Sequence, residues 1–328
     1  MQHLVIIGNG ITGVTTARNV RKHSDMKITI ISGESKYFFP RTALMYVYMG
    51  HMKWGSIKPY EDWFWKKNKI DLIYAHVISI NTYNKTLLLD NGQTIVYDKL
   101  VIATGSSTNK FGWPGWDLPG VRPNIELAKN TKIETGRGIL VNEYLETNIS
   151  GIYSAGDCAE IKSNAEGEKN RVEQLWYTGR MQGEVLAQNI LGKKIKYDRG
   201  IWFNSAKFLD IEYQTYGFVS NVLPRKGEET FYWEHPGKKK CFRVVYSSND
   251  RSVKGFNVLG IRLRHQVCER WIKENKPIEY VLENLAEANF DPEFYDKHEE
   301  EIINKFNREN FGKNVSLNKQ TNHSKQLA

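Results

Sequence analysis

Apolar residues follow two rhythms along this chain, and each predicts a different architecture. In the first half the runs are short and unbroken. LVII (Leu4 to Ile7) breaks into glycines and reads as a buried strand, after which the spacing becomes helical from near Ile11; KITIISGE (Lys27 to Glu34) repeats the buried-strand pattern. YFFPRTALMYVYMG (Tyr37 to Gly50) is an aromatic loop with one cation, Arg41. PYEDWFWKKN (Pro59 to Asn68) predicts a short helix with proline near its start. His76 to Gly105 predicts several short strands around an Asn91-Gly92 turn, ending in the buried KLVIATG. A further apolar strand runs through Ile152 and Tyr153. RVEQLWYTGRMQGEVLAQNILG (Arg171 to Gly192) predicts a helix with Leu175, Gly179, Leu186 and Ile190 on or near one face, where Gly179 and Gly183 imply close packing. Beyond Lys193 the pattern changes to the short strands IEYQTYGFV, ETFYWEH, KCFRVVYSS and VKGFNVLG. Helical LRHQVCERWIKEN and PIEYVLENLAEANF follow, so residues 193–292 predict a compact α+β layer. Residues 293–328 read as a helical, polar and basic tail.

Strand, Gly8-x-Gly10-x-x-Gly13, helix, strand and a terminal acid at Glu34 form a βαβ unit with the spacing of a dinucleotide site. Gly8 permits the tight turn, Gly10 lets a pyrophosphate approach the backbone with Asn9, Ile11 and Thr12 around it, and Gly13 lets the helix lie close on the strand. Glu34 can accept hydrogen bonds from ribose hydroxyls. Ala103, Thr104 and Gly105 are small residues at a strand end, where backbone can pass close to a ligand. Gly156 and Asp157 place a carboxylate at the carboxyl end of another strand, suited to a polyol hydroxyl. Arg41 is either a phosphate or flavin contact or an ordinary surface arginine.

With 328 residues and 40% hydrophobic content the chain can bury one large or two ordinary cores. Met1 lies almost against the first strand and no apolar run approaches a membrane span, so the expected location is the cytoplasm. Cys158, Cys241 and Cys268 lack C-x-x-C spacing and read as buried thiols. The net charge of +9 reads as solvated surface and tail lysines rather than a nucleic-acid footprint. His235 and His265 have no metal-ligand companions at useful spacing, so no metal site is expected.

The glycine loop with Glu34, the ATG at Ala103 to Gly105, and TNISGIYSAGDCA at Thr147 to Ala159 resemble the FAD-binding domain of the two-dinucleotide-binding flavoproteins. More narrowly, the chain resembles the pyridine nucleotide-disulfide oxidoreductases, on the side of the NADH-dependent ferredoxin and nitrite reductases. The resemblance implies a Rossmann-like α/β FAD domain, formed by residues 1–121 and 122–192, plus a smaller α+β C-terminal domain. It implies non-covalent FAD, with the pyrophosphate on the glycine loop, the adenosine ribose on Glu34 and the ribityl chain on Asp157. Val77 and Trp176 are carried over to the adenine and flavin surroundings. WFNSAKF (Trp202 to Phe208) would be the segment nearest the flavin ring, and the C-terminal domain could build a homodimer.

The family pattern is broken at one place. A second Rossmann unit for NAD(P)H normally separates a P-G-x-x-x-P-G-V stretch from a loop like RPN, but here WPGWDLPGV (Trp113 to Val121) runs straight into RPN at Arg122 to Asn124, and no second G-x-G-x-x-G occurs. The resemblance therefore implies an FAD-dependent oxidoreductase of NAD(P)H-dehydrogenase ancestry in which direct NAD(P)H use is doubtful. Its partner would be a protein electron donor or acceptor. The alternative is an FAD-binding module without autonomous turnover.

Overall fold

The computed structural model describes residues 1–109, 120–163, 169–209, 211–219, 225–290, 296–310, 312 and 314–318. The chain divides into two units, Met1–Arg199 and Gly200–Ala328.

In the first unit the glycine turn links β1 (His3–Ile7) to α1 (Ile11–His23), and β2 (Lys27–Ser32) follows. The aromatic stretch is not plain loop, since Arg41–Ala43 form a 3-10 turn that runs into α2 (Leu44–Tyr48). Next come α3 (Asp62–Lys67), β3 (Ile70–Tyr74), β4 (Val77–Asn81), β5 (Thr86–Leu89), β6 (Thr94–Val96) and β7 (Lys99–Ile102). An antiparallel ribbon, β8 (Ser106–Asn109) and β9 (Gly120–Pro123), leads to α4 (Glu126–Lys129), β10 (Ile139–Val141), β11 (Ile152–Ser154), β12 (Ala159–Ile161), β13 (Arg171–Val172) and α5 (Trp176–Ile190). Residues 113–119 of the Trp-Pro-Gly stretch lie outside the described residues.

Five strands form a parallel sheet in the order β11-β7-β1-β2-β3, with Leu4 facing Ile28 on one side and Lys99 on the other. The short apolar runs have the composition they have because both faces of this sheet are covered. Leu4, Ile6, Ile28 and Ile30 point to the face packed by Val14 and Ala17 of α1 and Leu186 and Ile190 of α5. Val5, Ile7 and Ile31 point to the opposite face, covered by Leu87 and Leu89 of β5 and Ala128 of α4. Helices α1 and α5 come close because Gly179 and Gly183 face Thr12 and Thr15; a methyl group on Gly183 would lie 2.7 Å from the Thr12 carbonyl oxygen.

Helix α5 begins at Trp176, later than the apolar spacing predicts. Arg171 and Val172 instead pair with β12, and Glu173 turns inward to 5% exposure. There it accepts hydrogen bonds from the Tyr197 hydroxyl (2.6 Å), Arg199 (3.3 Å) and Gln182 (3.4 Å). A buried carboxylate with three donors outweighs about one and a half more helical turns, because leaving it unpaired in the interior would cost more than the helix gains. Burial, then the neighbouring Glu173 carboxylate, push the Tyr197 phenol well up, so its hydroxyl stays a donor.

The second unit is an antiparallel sheet, β14 (Phe203–Phe208), β15 (Ile211–Gly217), β16 (Glu228–Glu234), β17 (Cys241–Ser247) and β18 (Val253–Leu259), in the order β14-β15-β18-β17-β16. Three helices, α6 (His265–Lys273), α7 (Ile278–Glu283) and α8 (Glu299–Glu309), pack on one face. Burial alternates along β16, where Phe231 and Trp233 are buried and Tyr232 is exposed. Phe203 of the WFNSAKF segment packs in this unit against the His265 ring, 3.8 Å between centroids. Composition assigns residues 293–328 to a tail, but Ile302, Ile303 and Phe306 of α8 and Val315 are buried in the unit's core. Their spacing makes one apolar stripe, and polar flanks mask it in a composition count. Residues 293–295 and 319–328 lie outside the described residues. Among the cysteines, Cys158 and Cys268 are buried, whereas Cys241 is only half-buried on the sheet face away from the helices.

Candidate functional site

The carboxyl ends of the parallel strands open into a cavity of about 730 Å³. Its wall is built strand by strand: Gly8 to Thr12 after β1, Ser32 to Glu34 after β2, Ala75 to Val77 after β3, Ala103 to Ser106 after β7 and Ala155 to Asp157 after β11. This is the crevice where open α/β sheets bind ligands. Of the residues singled out in the sequence, Gly8, Asn9, Gly10, Ile11, Thr12, Glu34, Arg41, Val77, Ala103, Thr104, Gly105, Gly156, Asp157 and Trp176 all line it, and Gly13 stands just behind the wall.

The three glycines of the loop differ physically. Gly8 has φ +109°, and a methyl group there would lie 2.1 Å from the Ala103 carbonyl oxygen. At Gly13 it would lie 2.1 Å from the Gly8 carbonyl oxygen. Gly10 is the N-cap of α1 with an ordinary φ of −69°, and nothing stands within 4 Å of the position a methyl group would take. The first two glycines are demanded by the fold, whereas at Gly10 only the cavity itself would be filled.

Side chains hold this wall in place. Asn9, 8% exposed, donates to the Ser35 carbonyl (2.8 Å) and accepts from the Ser32 hydroxyl (3.0 Å), which ties the glycine loop to the end of β2. The Thr104 hydroxyl donates to the Asn124 carbonyl at 2.7 Å. The Gly156 N–H donates to Gln182 Oε1 at 2.6 Å, which joins the β11 end to the Glu173 cluster beneath α5. Gln182→Ala is therefore expected to lower stability by about 1–3 kcal/mol, since it strands a buried N–H and one lone pair of Glu173. Urea denaturation measures it, and an unchanged midpoint would refute the clamp.

The charges sit at two ends. Glu34 forms an ion pair with Arg41 across the mouth of the cavity, both half-exposed or more. Asp157 accepts a hydrogen bond from the Ser106 hydroxyl at 2.5 Å. Burial pushes the Asp157 carboxyl above its ordinary range, with the Ser106 bond and the Arg41 charge pulling the other way. Gln174 Nε2 and Trp176 Nε1 are buried donors with no protein partner, and both residues line the cavity. Orphaned donors of this kind call for an acceptor that the polypeptide does not supply.

Several wall residues carry no sequence signal. Ser106 at the start of β8 and Gln174 just before α5 line the cavity although nothing local marks them, and Phe38, Phe39 and Asn124 sit in stretches singled out for other residues. His235 has companions after all: His298 and Glu301, distant in sequence, offer ligand atoms that lie with it within 4.8 Å of one another in the second unit.

A glycine turn feeding a helix N-terminus, an acid after the second strand and a crevice at the carboxyl edge define a Rossmann-type dinucleotide-binding domain. The sequence pattern of the pyridine nucleotide-disulphide oxidoreductase family matches residues 2–119 and 117–183, more than half of the chain, and the chain belongs to that FAD-dependent superfamily. A stretch of 110 residues is 33% identical to the NAD(P)H sulfur oxidoreductase (CoA-dependent) of Pyrococcus furiosus, covering 33% of this chain and 25% of that one. Another of 107 residues is 36% identical to the NADH-rubredoxin oxidoreductase of Clostridium acetobutylicum, covering 33% and 26%. The chain thus spans only about a quarter of these relatives' length. Among solved structures, an NAD-dependent persulfide reductase from A. fulgidus superposes with a TM-score of 0.75 at 17% identity, covering 94% of this chain and 84% of that one. The NADH:rubredoxin oxidoreductase of Clostridium acetobutylicum gives 0.66 at 21% identity, with 84% and 96% covered. These structural likenesses establish the fold. Among the described residues no helix is long and apolar enough to cross a membrane.

Proposed function

We propose that the chain holds FAD non-covalently in the cavity at the carboxyl edge of the parallel sheet and works as an oxidoreductase toward a protein electron carrier, not as a direct NAD(P)H dehydrogenase. One observation carries the reading of the cofactor: open space in front of Gly10, the Glu34 carboxylate and the Asp157 carboxylate lie along one wall, matching the pyrophosphate and the two polyol regions of one extended ligand. The fit is supported by the orphaned donors of Gln174 and Trp176, which offer N–H groups to acceptor atoms of a bound ring.

FAD, when bound, supplies the electron-transfer chemistry that side chains cannot. The protein's part is binding and orientation. The N–H groups at the start of α1 face the pyrophosphate, and Gly10 leaves room for it. Glu34 accepts from ribose hydroxyls, exchanging its Arg41 partner for them or sharing it. Asp157, fixed by Ser106, accepts from a ribityl hydroxyl. Val77 would border the adenine, and Trp176, at the start of α5, would shield the ring.

The doubt about NAD(P)H rests on the β8–β9 ribbon. Only residues 110–119 separate its strands, whereas a βαβ unit needs about 30 residues or more. The same observation favours a second reading, an FAD-binding module without turnover of its own.

Flavin uptake tests the proposal. The purified chain should carry, or take up, FAD with its visible absorbance bands; a folded, colourless chain that binds no added FAD refutes it. Asp157→Ala should weaken FAD by about one to two decades, since a hydrogen bond to a charged group is worth about 1.5–3 kcal/mol. Cys158→Ala should do less, because that thiol is buried and already hydrogen-bonded to the Ile102 carbonyl at 3.4 Å. Equal affinities in the two variants would remove Asp157 from the site.

A further inference from the structure

The second unit carries a cluster of ligand-type side chains that the flavin reading does not use. His235 begins the turn between β16 and β17, where its N–H donates to the Lys240 carbonyl and its own carbonyl accepts from Lys238. His298 precedes α8 as its N-cap, and Glu301 stands three residues on, the spacing that places two side chains on one helix face. One donor atom from each of the three lies within 4.8 Å of the others.

His298 is 8% exposed, and its Nδ1 is buried without a hydrogen bond. The nearest carboxylate oxygen, on Glu301, is 3.7 Å away, beyond hydrogen-bond range. A buried ring nitrogen facing a second imidazole and a carboxylate that it does not quite reach is a gap of a particular kind. It lies among two nitrogen ligands and one oxygen ligand.

We propose that His235, His298 and Glu301 form a site for a first-row divalent cation, with zinc suited to the donor set, that ties the β16–β17 turn to the start of α8. Two imidazoles and a carboxylate are the ligand set of many three-residue zinc sites, the fourth position being left to water. Bonds of about 2.0–2.2 Å require the donor atoms to close by roughly 1–1.5 Å. His235, on a turn, and Glu301, half-exposed, are the two that move; His298 is held by packing against the Trp233 ring at 5.4 Å.

Lys240 sets the condition for binding. Its Nζ lies 3.0 Å from His298 Nε2 and 2.7 Å from an Asp296 oxygen. An imidazole that coordinates through Nδ1 carries its proton on Nε2, so Lys240 must release that nitrogen. It keeps a carboxylate partner when it does. Asp296, on the same lysine, is then also placed to accept the Nε2 proton, the outer carboxylate that ligand histidines commonly have.

Calorimetric titration of the full, tag-free, chelator-treated chain with zinc chloride tests the site. Wild type and His23→Ala, altered at an exposed histidine of the first unit, should bind one equivalent alike, and zinc should raise the thermal midpoint. His298→Gln and Glu301→Gln should each weaken binding by at least about tenfold and lose the zinc-dependent shift. Glu301 is surface-facing, so its variant keeps the test decisive if the buried His298 variant fails to fold. No binding by the wild type, or wild-type affinity in Glu301→Gln, overturns the proposal.

Discussion

Mixed anaerobically with micromolar NADH, the flavin-loaded chain is expected to bleach at least about a thousand-fold more slowly than a family member that carries a second glycine loop. Holding a donor carbon about 3–3.5 Å from its acceptor can supply roughly 7–11 kcal/mol of the barrier, so losing that positioning costs several decades of rate. On the proposed reading, that loss lies in the fold. Among the described residues one parallel sheet carries one glycine turn into one long helix behind it, and the ten positions between β8 and β9 cannot fold a second. NADH would have to reach the flavin without a helix N-terminus to hold its pyrophosphate. Stopped-flow absorbance at the flavin band decides the matter: fast, saturable reduction would reveal a nicotinamide site elsewhere in the chain. Dithionite-reduced protein should still reoxidise readily in air.

Gly10→Asp should change ligand affinity and stability in opposite directions. Aspartate is a preferred N-cap and its charge suits a helix N-terminus, so the ligand-free chain should gain a few tenths to about 1 kcal/mol. The ordinary φ of −69° and the open space around Gly10 mean that the fold imposes no penalty. The same carboxylate would stand where the pyrophosphate belongs, and juxtaposed like charges cost several kcal/mol, so FAD affinity should fall by at least about a thousand-fold. Gly13→Ala is the counterpart, since its methyl group meets the Gly8 carbonyl at 2.1 Å and must damage the fold itself. Thermal unfolding without ligand and fluorescence titration with FAD separate the two. A destabilised Gly10→Asp, or one that binds FAD normally, would place the phosphate elsewhere.

What the sequence makes legible here follows from local physics. The glycine turn, its helix and the buried strands are visible because close approach and two-sided burial restrict residue choice at fixed spacing, as at Gly8, Gly13 and the run Leu4 to Ile7. The family match and the α/β class agree with that reading. Features set by distant partners are invisible in the same way throughout. Helical spacing carries through Arg171 to Leu175, yet Glu173 is claimed by Tyr197, Gln182 and Arg199. Ser106 at the start of β8 and Gln174 just before α5 reach the cavity only through the tertiary fold, and His235 meets His298 only because α8 packs beside the β16–β17 turn. The apolar stripe of α8 was hidden by averaging, as Ile302, Ile303 and Phe306 are few among many charges.

The side-chain clamps on the cavity wall also bear on time. Asn9 fixes the glycine loop to β2, Thr104 fixes the β7 end to Asn124 just past β9, and Gln182 fixes the Gly156 peptide, each through a partner in the polypeptide. A wall braced by its own side chains has little ordering to undergo, so complex formation should lose little conformational freedom and need not wait on a slow rearrangement. Uptake should therefore be a single encounter whose observed rate climbs in proportion to FAD concentration without reaching a plateau, and variation in how tightly different flavin analogues are held should reside in how long they stay.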